Sequence, residues 1–241
     1  MRLDKLLAHT GYGTRAEVKR LLKTKTVTLN GQVAQDGKIQ VDLKKDQVLV
    51  AGQLADYREF VYLMMNKPQD CLSATTDRSG RTVIDLLSEE YRRFDMVPAG
   101  RLDRNTEGLM LLTNDGALVH SIISPKKEVY KQYLACLDGE LTPEKISLLE
   151  AGVEIRDGAD EIYRTKPARI TLLEPQQGRQ AALIEITEGK FHQVKRMFAS
   201  VGCKVTYLKR NAIGRLKLDD SLALGQYREL TEVEISILRG H

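Results

Sequence analysis

The chain of 241 residues is 42% hydrophobic and carries a formal net charge of +4. That suits one large domain, or a small one joined to a medium one. Its longest apolar run, Phe60–Met65, is six residues, far short of the roughly 20 that a membrane helix needs. MRLDKLLAHT lacks the apolar stretch and cleavage site of a secretory leader. Cys71, Cys136 and Cys203 lie far apart with no CxxC or CxxH pair, which argues against zinc and disulfide frameworks and for a cytoplasmic protein.

The charge is uneven. Residues 1–50 hold ten Lys/Arg against five Asp/Glu, whereas the other 191 hold 27 against 28. A basic front end fits either a polyanion-binding module or an ordinary solvated face.

The first predicted helix places Leu3, Leu6 and Leu7 on one face and stops at Gly11–Gly13. Thr14 and Glu17 form a T-x-x-E capping box that starts a second helix. On it Arg15, Lys19 and Lys23 recur every four residues beside Arg20, with Ala16, Leu21 and Leu22 turned inward. Asn30-Gly31 between β-prone runs predicts a hairpin, and Gln47–Gln53 supplies another strand. This segment, Arg2–Gln32 above all, resembles the S4 domain, an RNA-binding module. The resemblance implies that Arg2, Lys5, Arg15, Lys19, Arg20 and Lys23 meet phosphates, which adds affinity and salt dependence but little sequence information.

Polar residues 55–59 read as a linker between domains at 1–54 and 60–241. Beyond it strands and helices alternate. FVYLMMNKP is a strand stopped by Pro68, Val83–Phe94 an amphipathic helix, and LMLLT a strand followed by the turn NDG and a short helix. Strands are expected at Glu128–Gly139, ARITLLE, AALIEIT and KVTYLKR. PEKISLLEAGVEI carries a helix, and KFHQVKRMFASVG spaces Phe191, Val194, Met197, Phe198 and Val201 helically. A second capping box, Thr231 to Glu234, opens the last helix. The pattern is α+β: a helix pair plus hairpin, then a mixed, strand-rich domain with flanking helices.

Several chemistries lack their sequence signatures. The chain has no GxxxxGK[ST] loop, no GxGxxG after a strand, no GxSxG elbow and no zinc-deaminase motif. His9, His120, His192 and His241 are too dispersed for a metal site. A cofactor-free reaction on a polyanion remains, or no reaction at all.

The densest cluster is PAGRLDRNTEGLMLLTNDG, Pro98–Gly116, where Asp103 stands between Arg101 and Arg104. Asp103 and Glu107 would suit a glycosidase's paired carboxylates only if the segment were helical, and Gly100 and Gly108 oppose that. Glu107 then reads as a solvated loop residue, and Asp103 as a turn residue paired with an arginine.

The motif as a whole resembles the signature of ribosomal RNA pseudouridine synthases, G-R-L-D-x-x-T-x-G-L-x-L-x-T-x-D-G, and matches it at eleven positions. Asn66-Lys67-Pro68, Lys131 and Tyr133 in K-x-Y, EGKFHQVKRMF (Glu188–Phe198), LKRNAIG and GQYRELT resemble further segments of that family in order, and the whole points to its small-subunit, RsuA-type branch. The resemblance implies a long mixed, largely antiparallel sheet with its cleft across the middle. It implies no cofactor and no metal, and a catalytic set of Asp103, Tyr133 and Lys195. The reaction breaks a uridine's N-glycosidic bond, turns the uracil and rejoins it through C5.

Asp103 would act as nucleophile or general base, kept ionised by Lys195, where many relatives carry the two-pronged arginine. Tyr133 would stack on the flipped uracil. Flipping costs a few kcal/mol, and an aromatic face returns about 1–3 kcal/mol. Arg101, Arg104, His192, Gln193, Arg196 and Arg210 are expected RNA contacts, or else ordinary surface residues. The expected partner is 16S ribosomal RNA in a precursor or partly assembled small subunit, bound by a monomer, with no membrane. The rivals are a large-subunit RNA synthase and a non-catalytic RNA-binding assembly factor.

Overall fold

The structure, a computed structural model, describes residues 1–55, 57–156, 161–176 and 178–240. Asp56 of the expected linker and the terminal His241 lie outside the described residues. Two compact units emerge, Met1–Val61 with Leu87–Met96, and Tyr62–Leu86 with Val97–His241. The inclusion of Leu87–Met96 in the first unit is not foreshadowed by one cut in the chain near residue 55.

The first unit begins with α1 (Leu3–His9) and α2 (Arg15–Lys23). Leu3, Leu6 and Leu7 of α1 and Val18 and Leu22 of α2 are buried in one apolar cluster. Ala16 is exposed, contrary to its expected inward direction, and Val18 takes that place. The α2 capping box is complete: the Thr14 hydroxyl accepts from the Glu17 N–H, and Glu17 accepts from the Thr14 N–H at 2.7 Å. Four short strands follow: β1 (Val27–Leu29), β2 (Gln32–Val33), β3 (Val48–Val50) and β4 (Gln53–Leu54), in sheet order β2-β1-β3-β4. The β1–β2 turn needs two positive φ angles, and Asn30 (52°) and Gly31 (81°) adopt them.

The expected helix over Val83–Phe94 shrinks to α3 (Glu89–Arg92). Ser88 caps it in extended backbone. Before that, Thr82 and Asp85 form their own turn, with the Thr82 N–H and hydroxyl donating to Asp85 at 2.8 and 2.9 Å. Side-chain bonds of this local kind compete with helix and explain the short span.

The second unit is built on nine strands. They are β5 (Tyr62–Lys67), β6 (Val97–Pro98), β7 (Glu107–Thr113), β8 (Lys131–Asp138), β11 (Arg169–Gln176), β12 (Arg179–Ile186), β13 (Lys204–Ile213), β14 (Leu216–Lys217) and β15 (Tyr227–Glu229). The path runs β11-β12-β8-β13-β7-β5-β15, with β14 on β13 and β6 on β7. A separate hairpin joins β9 (Glu154–Arg156) to β10 (Ile162–Arg164). Helices α4 (Gly116–Ile123), α5 (Pro143–Ala151), α6 (Gln193–Ser200) and α7 (Glu232–Gly240) complete the α+β unit.

Every pairing in the nine-stranded sheet is antiparallel except β13 with β7. At that parallel seam Gly108, at φ +102°, faces Arg210. A Cβ on Gly108 would come within 2.3 Å of the Arg210 carbonyl oxygen. Only glycine allows the two strands to close there. Among the described residues, no helix is long and apolar enough to cross a membrane.

Candidate active site

The loop between β6 and β7 delivers Asp103 to a cavity of about 730 Å³ in the second unit. Its backbone is held from below by Lys67, the last residue of β5, which is 0% exposed. The Lys67 ammonium donates to the carbonyls of Pro68, Asp103, Arg104 and Thr106 at 3.0, 3.1, 3.3 and 3.0 Å. Three N–H donors are thus shared among four acceptors, three of them in the Asp103 loop. Burial pushes the Lys67 pKa down to about 8, against the pull of nearby Asp103 and Glu107. From the other side Ser73 clamps Leu102, accepting from its N–H at 3.0 Å and donating to its carbonyl at 2.9 Å.

Asp103 is left with one carboxylate fixed at the cavity wall. Its Oδ2 accepts from Lys195 Nζ at 2.7 Å, and His192 Nε2 lies 3.5 Å from Oδ1. Lys195, on α6, also donates to Asn105 Oδ1 at 2.6 Å. Asn105 was not singled out in the sequence, although it sits two residues from Asp103 inside the motif. The ion pair spans 92 residues of chain and is about one-quarter exposed on both sides.

Tyr133 on β8 is 8% exposed and lines the same cavity. Across the sheet it is in register with Arg210 on β13. Arg210 is 3% exposed; its Nε donates to the Leu109 carbonyl at 2.9 Å, while its Nη2 has no partner among the described residues. Lys131, two residues from Tyr133 and so on the same face of the strand, is 9% exposed and also lines the cavity.

The other residues expected at RNA divide by exposure. Arg101 and Arg104 are exposed, with Arg104 3.3 Å from Asp70. His192 opens α6 at a left-handed φ of 51° and stacks on the exposed Phe191, which therefore stands ahead of the helix rather than on its buried face. Arg196 covers the Phe191 ring at 5.0 Å and donates to the Arg156 carbonyl.

Gln193 is buried. Its amide nitrogen donates to Glu188 at 2.6 Å and its oxygen accepts from the Lys190 N–H. Both ends of Gln193 therefore hold the loop that carries His192. Glu188 also accepts from Tyr163 at 2.5 Å, which raises the phenol's pKa to about 12. In the first unit Arg15, Lys19, Arg20 and Lys23 are exposed, as is Lys5, whereas Arg2 binds Asp4 through two nitrogens.

Glu107 is buried on β7 and accepts from Tyr207 at 2.7 Å. It is not the solvated loop residue expected from sequence. Burial first, and then Glu107, raises the Tyr207 pKa. A turn at Arg104 and Asn105, closed by the Thr106 N–H donating to the Asp103 carbonyl, separates Glu107 from Asp103, so the two do not share a helical face.

The family model for RNA pseudouridylate synthase matches residues 61–200, and that for the S4 domain matches residues 1–56. The chain belongs to the RNA pseudouridylate synthase family. It is 52% identical over 238 residues to the uncharacterised RNA pseudouridine synthase YtzG of Bacillus subtilis (strain 168), covering 99% of this chain and 98% of the relative. It is 39% identical to ribosomal small subunit pseudouridine synthase A of Yersinia pestis, covering 98% of this chain and 97% of that protein. A crystal structure of a pseudouridylate synthase superposes with a TM-score of 0.68 at 35% identity, covering 99% of each chain.

Proposed function

We propose that this enzyme converts one uridine of 16S ribosomal RNA to pseudouridine, acting as a cytoplasmic monomer on a precursor or partly assembled small subunit. The observation that carries the proposal is the Asp103–Lys195 ion pair at the wall of a cavity that Tyr133 also lines. The likeness to small-subunit synthases over nearly the full chain supports the choice of RNA.

In this reading residues 1–54 grip the RNA through Arg15, Lys19, Arg20 and Lys23, with Lys5 beside them. Arg2, already bound to Asp4, contributes less. Residues 60–241 perform the chemistry. The target uridine flips into the cavity, and its uracil stacks on Tyr133. Lys195 holds Asp103 ionised, and the carboxylate acts at the sugar or base as nucleophile or general base. Exposed Arg101 and Arg104, with half-buried His192 and Arg196, line the approach for the strand.

The test is a map of pseudouridines in ribosomal RNA from cells with and without the gene. Loss of one small-subunit site is the expected result. Loss of a large-subunit site would move the enzyme to the rival RNA, and an unchanged map would leave only the non-catalytic reading.

A further inference from the structure

Two buried cations that line the cavity have no assigned part in the reaction just described. Lys131 and Arg210 are 9% and 3% exposed, and both line the cavity that holds Asp103 and Tyr133. Among the described residues no acceptor meets the Lys131 ammonium, and Arg210 Nη2 is likewise unpartnered. The acids that line the cavity are engaged elsewhere. Asp103 pairs with Lys195, Glu188 with Tyr163 and Gln193, and Asp77 with Ser79.

Two neighbouring buried cations with no counter-ion are costly. Burial, and then the positive charge of Arg210, lowers the Lys131 pKa to about 8. Such a pair is stabilising only when negative charge arrives. Arg210 is in strand register with Tyr133, and Lys131 shares its face of β8. The cations therefore sit where a base stacked on that tyrosine would lie, deep in the cavity rather than among the exposed arginines at its mouth.

We infer that Lys131 and Arg210 form an anion seat for the departing uracil. This rests on the proposed reaction. When the C1′–N1 bond breaks, its electron pair leaves with the base, so the detached uracil carries one negative charge spread over N1, O2 and O4. The seat holds that charge while the ring turns. C5 then bonds C1′, the C5 proton is lost and N1 takes up a proton, so atoms and charge balance with no added reactant. Donors placed where charge develops commonly account for factors of about 10²–10³ in rate.

The test uses the full-length enzyme in excess over small- and large-subunit ribosomal RNA transcripts carrying [5-³H]uridine. Tritium released to water counts turnover. Filter binding across a salt series gives affinity. With whichever transcript the wild type turns over, Lys131→Met should lower the single-turnover rate about 10²–10³-fold and leave Kd and its salt slope unchanged. Lys131→Arg, which keeps the cation, should restore much of that rate. Lys131→Gln repeats the neutral test with a different shape, and an unfolding curve for each variant shows that the fold persists.

Wild-type rates in both neutral variants would overturn the seat while leaving the synthase reading intact. A weaker Kd with the salt slope reduced by about one, at an unchanged rate, would show that the pair grips a phosphate and would also overturn it. No tritium release by the wild type from either transcript would remove the proposed reaction itself, and the seat with it.

Discussion

The positive charges of the first unit and those buried in the second follow opposite energetic rules. Arg15, Lys19, Arg20 and Lys23 stand in water along α2, where a charge has little effect on stability and acts at a distance on a polyanion. Lys67, Lys131 and Arg210 are almost wholly enclosed, where a charge is costly unless something offsets it. The two enclosed lysines differ in turn. Lys67 meets four carbonyls, whereas Lys131 meets none among the described residues. Surface cations can therefore be exchanged with modest consequence, while a buried cation marks either a structural clamp or a place kept for an arriving charge.

The largest effect expected is at Asp103. Asp103→Asn should reduce pseudouridine formation by about 10³-fold or more, toward the upper range for a positioned acid or base, with RNA affinity retained. Turnover near the wild-type rate would refute the catalytic assignment. Next is Lys67→Met, which leaves the carbonyls of the Asp103 loop without their donor. It should destabilise the second unit by about 3 kcal/mol or more, measured by urea unfolding. A loss below about 1 kcal/mol would erase the distinction between the two lysines.

Lys131 supplies the counter-test. Its pKa falls from 10.5 unfolded to about 8 folded, so between those values the unfolded chain binds more protons. Stability from this group therefore rises with pH across that window, and its penalty is present in full below about pH 8. Lys131→Met should be more stable than wild type at pH 7, by on the order of 1–3 kcal/mol, and the advantage should fade by pH 10.5. Lys67 contributes equally to both proteins and cancels. Unfolding curves at pH 7 and 10 check the sign. The smallest structural effect belongs to the surface. Lys19→Gln with Lys23→Gln should change stability by less than about 0.5 kcal/mol yet reduce the salt slope of RNA binding by one to two. An unchanged slope would detach these lysines from RNA.

Much of the architecture was legible because it rests on local chemistry. The Thr14–Glu17 capping box, the Asn30-Gly31 turn and the leucine face of α1 each involve residues within a few positions of one another. They appear as read. Where local signals compete, periodicity alone misleads. Amphipathic spacing over Val83–Phe94 promised three turns of helix, but Thr82 and Asp85 bond to each other in a turn, and Ser88 stands in extended backbone ahead of the short helix that remains. Ala16 has no side chain large enough to decide which face turns inward, and Val18 decides it.

The candidate site divides in the same way. The Pro98–Gly116 motif named Asp103, and family likeness named Lys195, which the geometry places at 2.7 Å. Nothing in the spacing of Asn66-Lys67-Pro68 announces that Lys67 closes on a loop nearly forty residues later. Glu107 and Gln193 looked like solvent residues, and each is buried with a specific partner.

By itself the sequence determined the helix caps, the turns, the strand runs and the residue types needed for the chemistry, because these depend on neighbours along the chain. Only the tertiary structure decided which charges lie in water and which are enclosed. That depends on β8, β13, β7 and β5 lying side by side, with one glycine letting two of them close in parallel. Burial, unlike a helix cap, belongs to no residue alone. It is set by everything that folds over it, and it separates Lys67 and Lys131, enclosed in the second unit, from the lysines that α2 leaves in water.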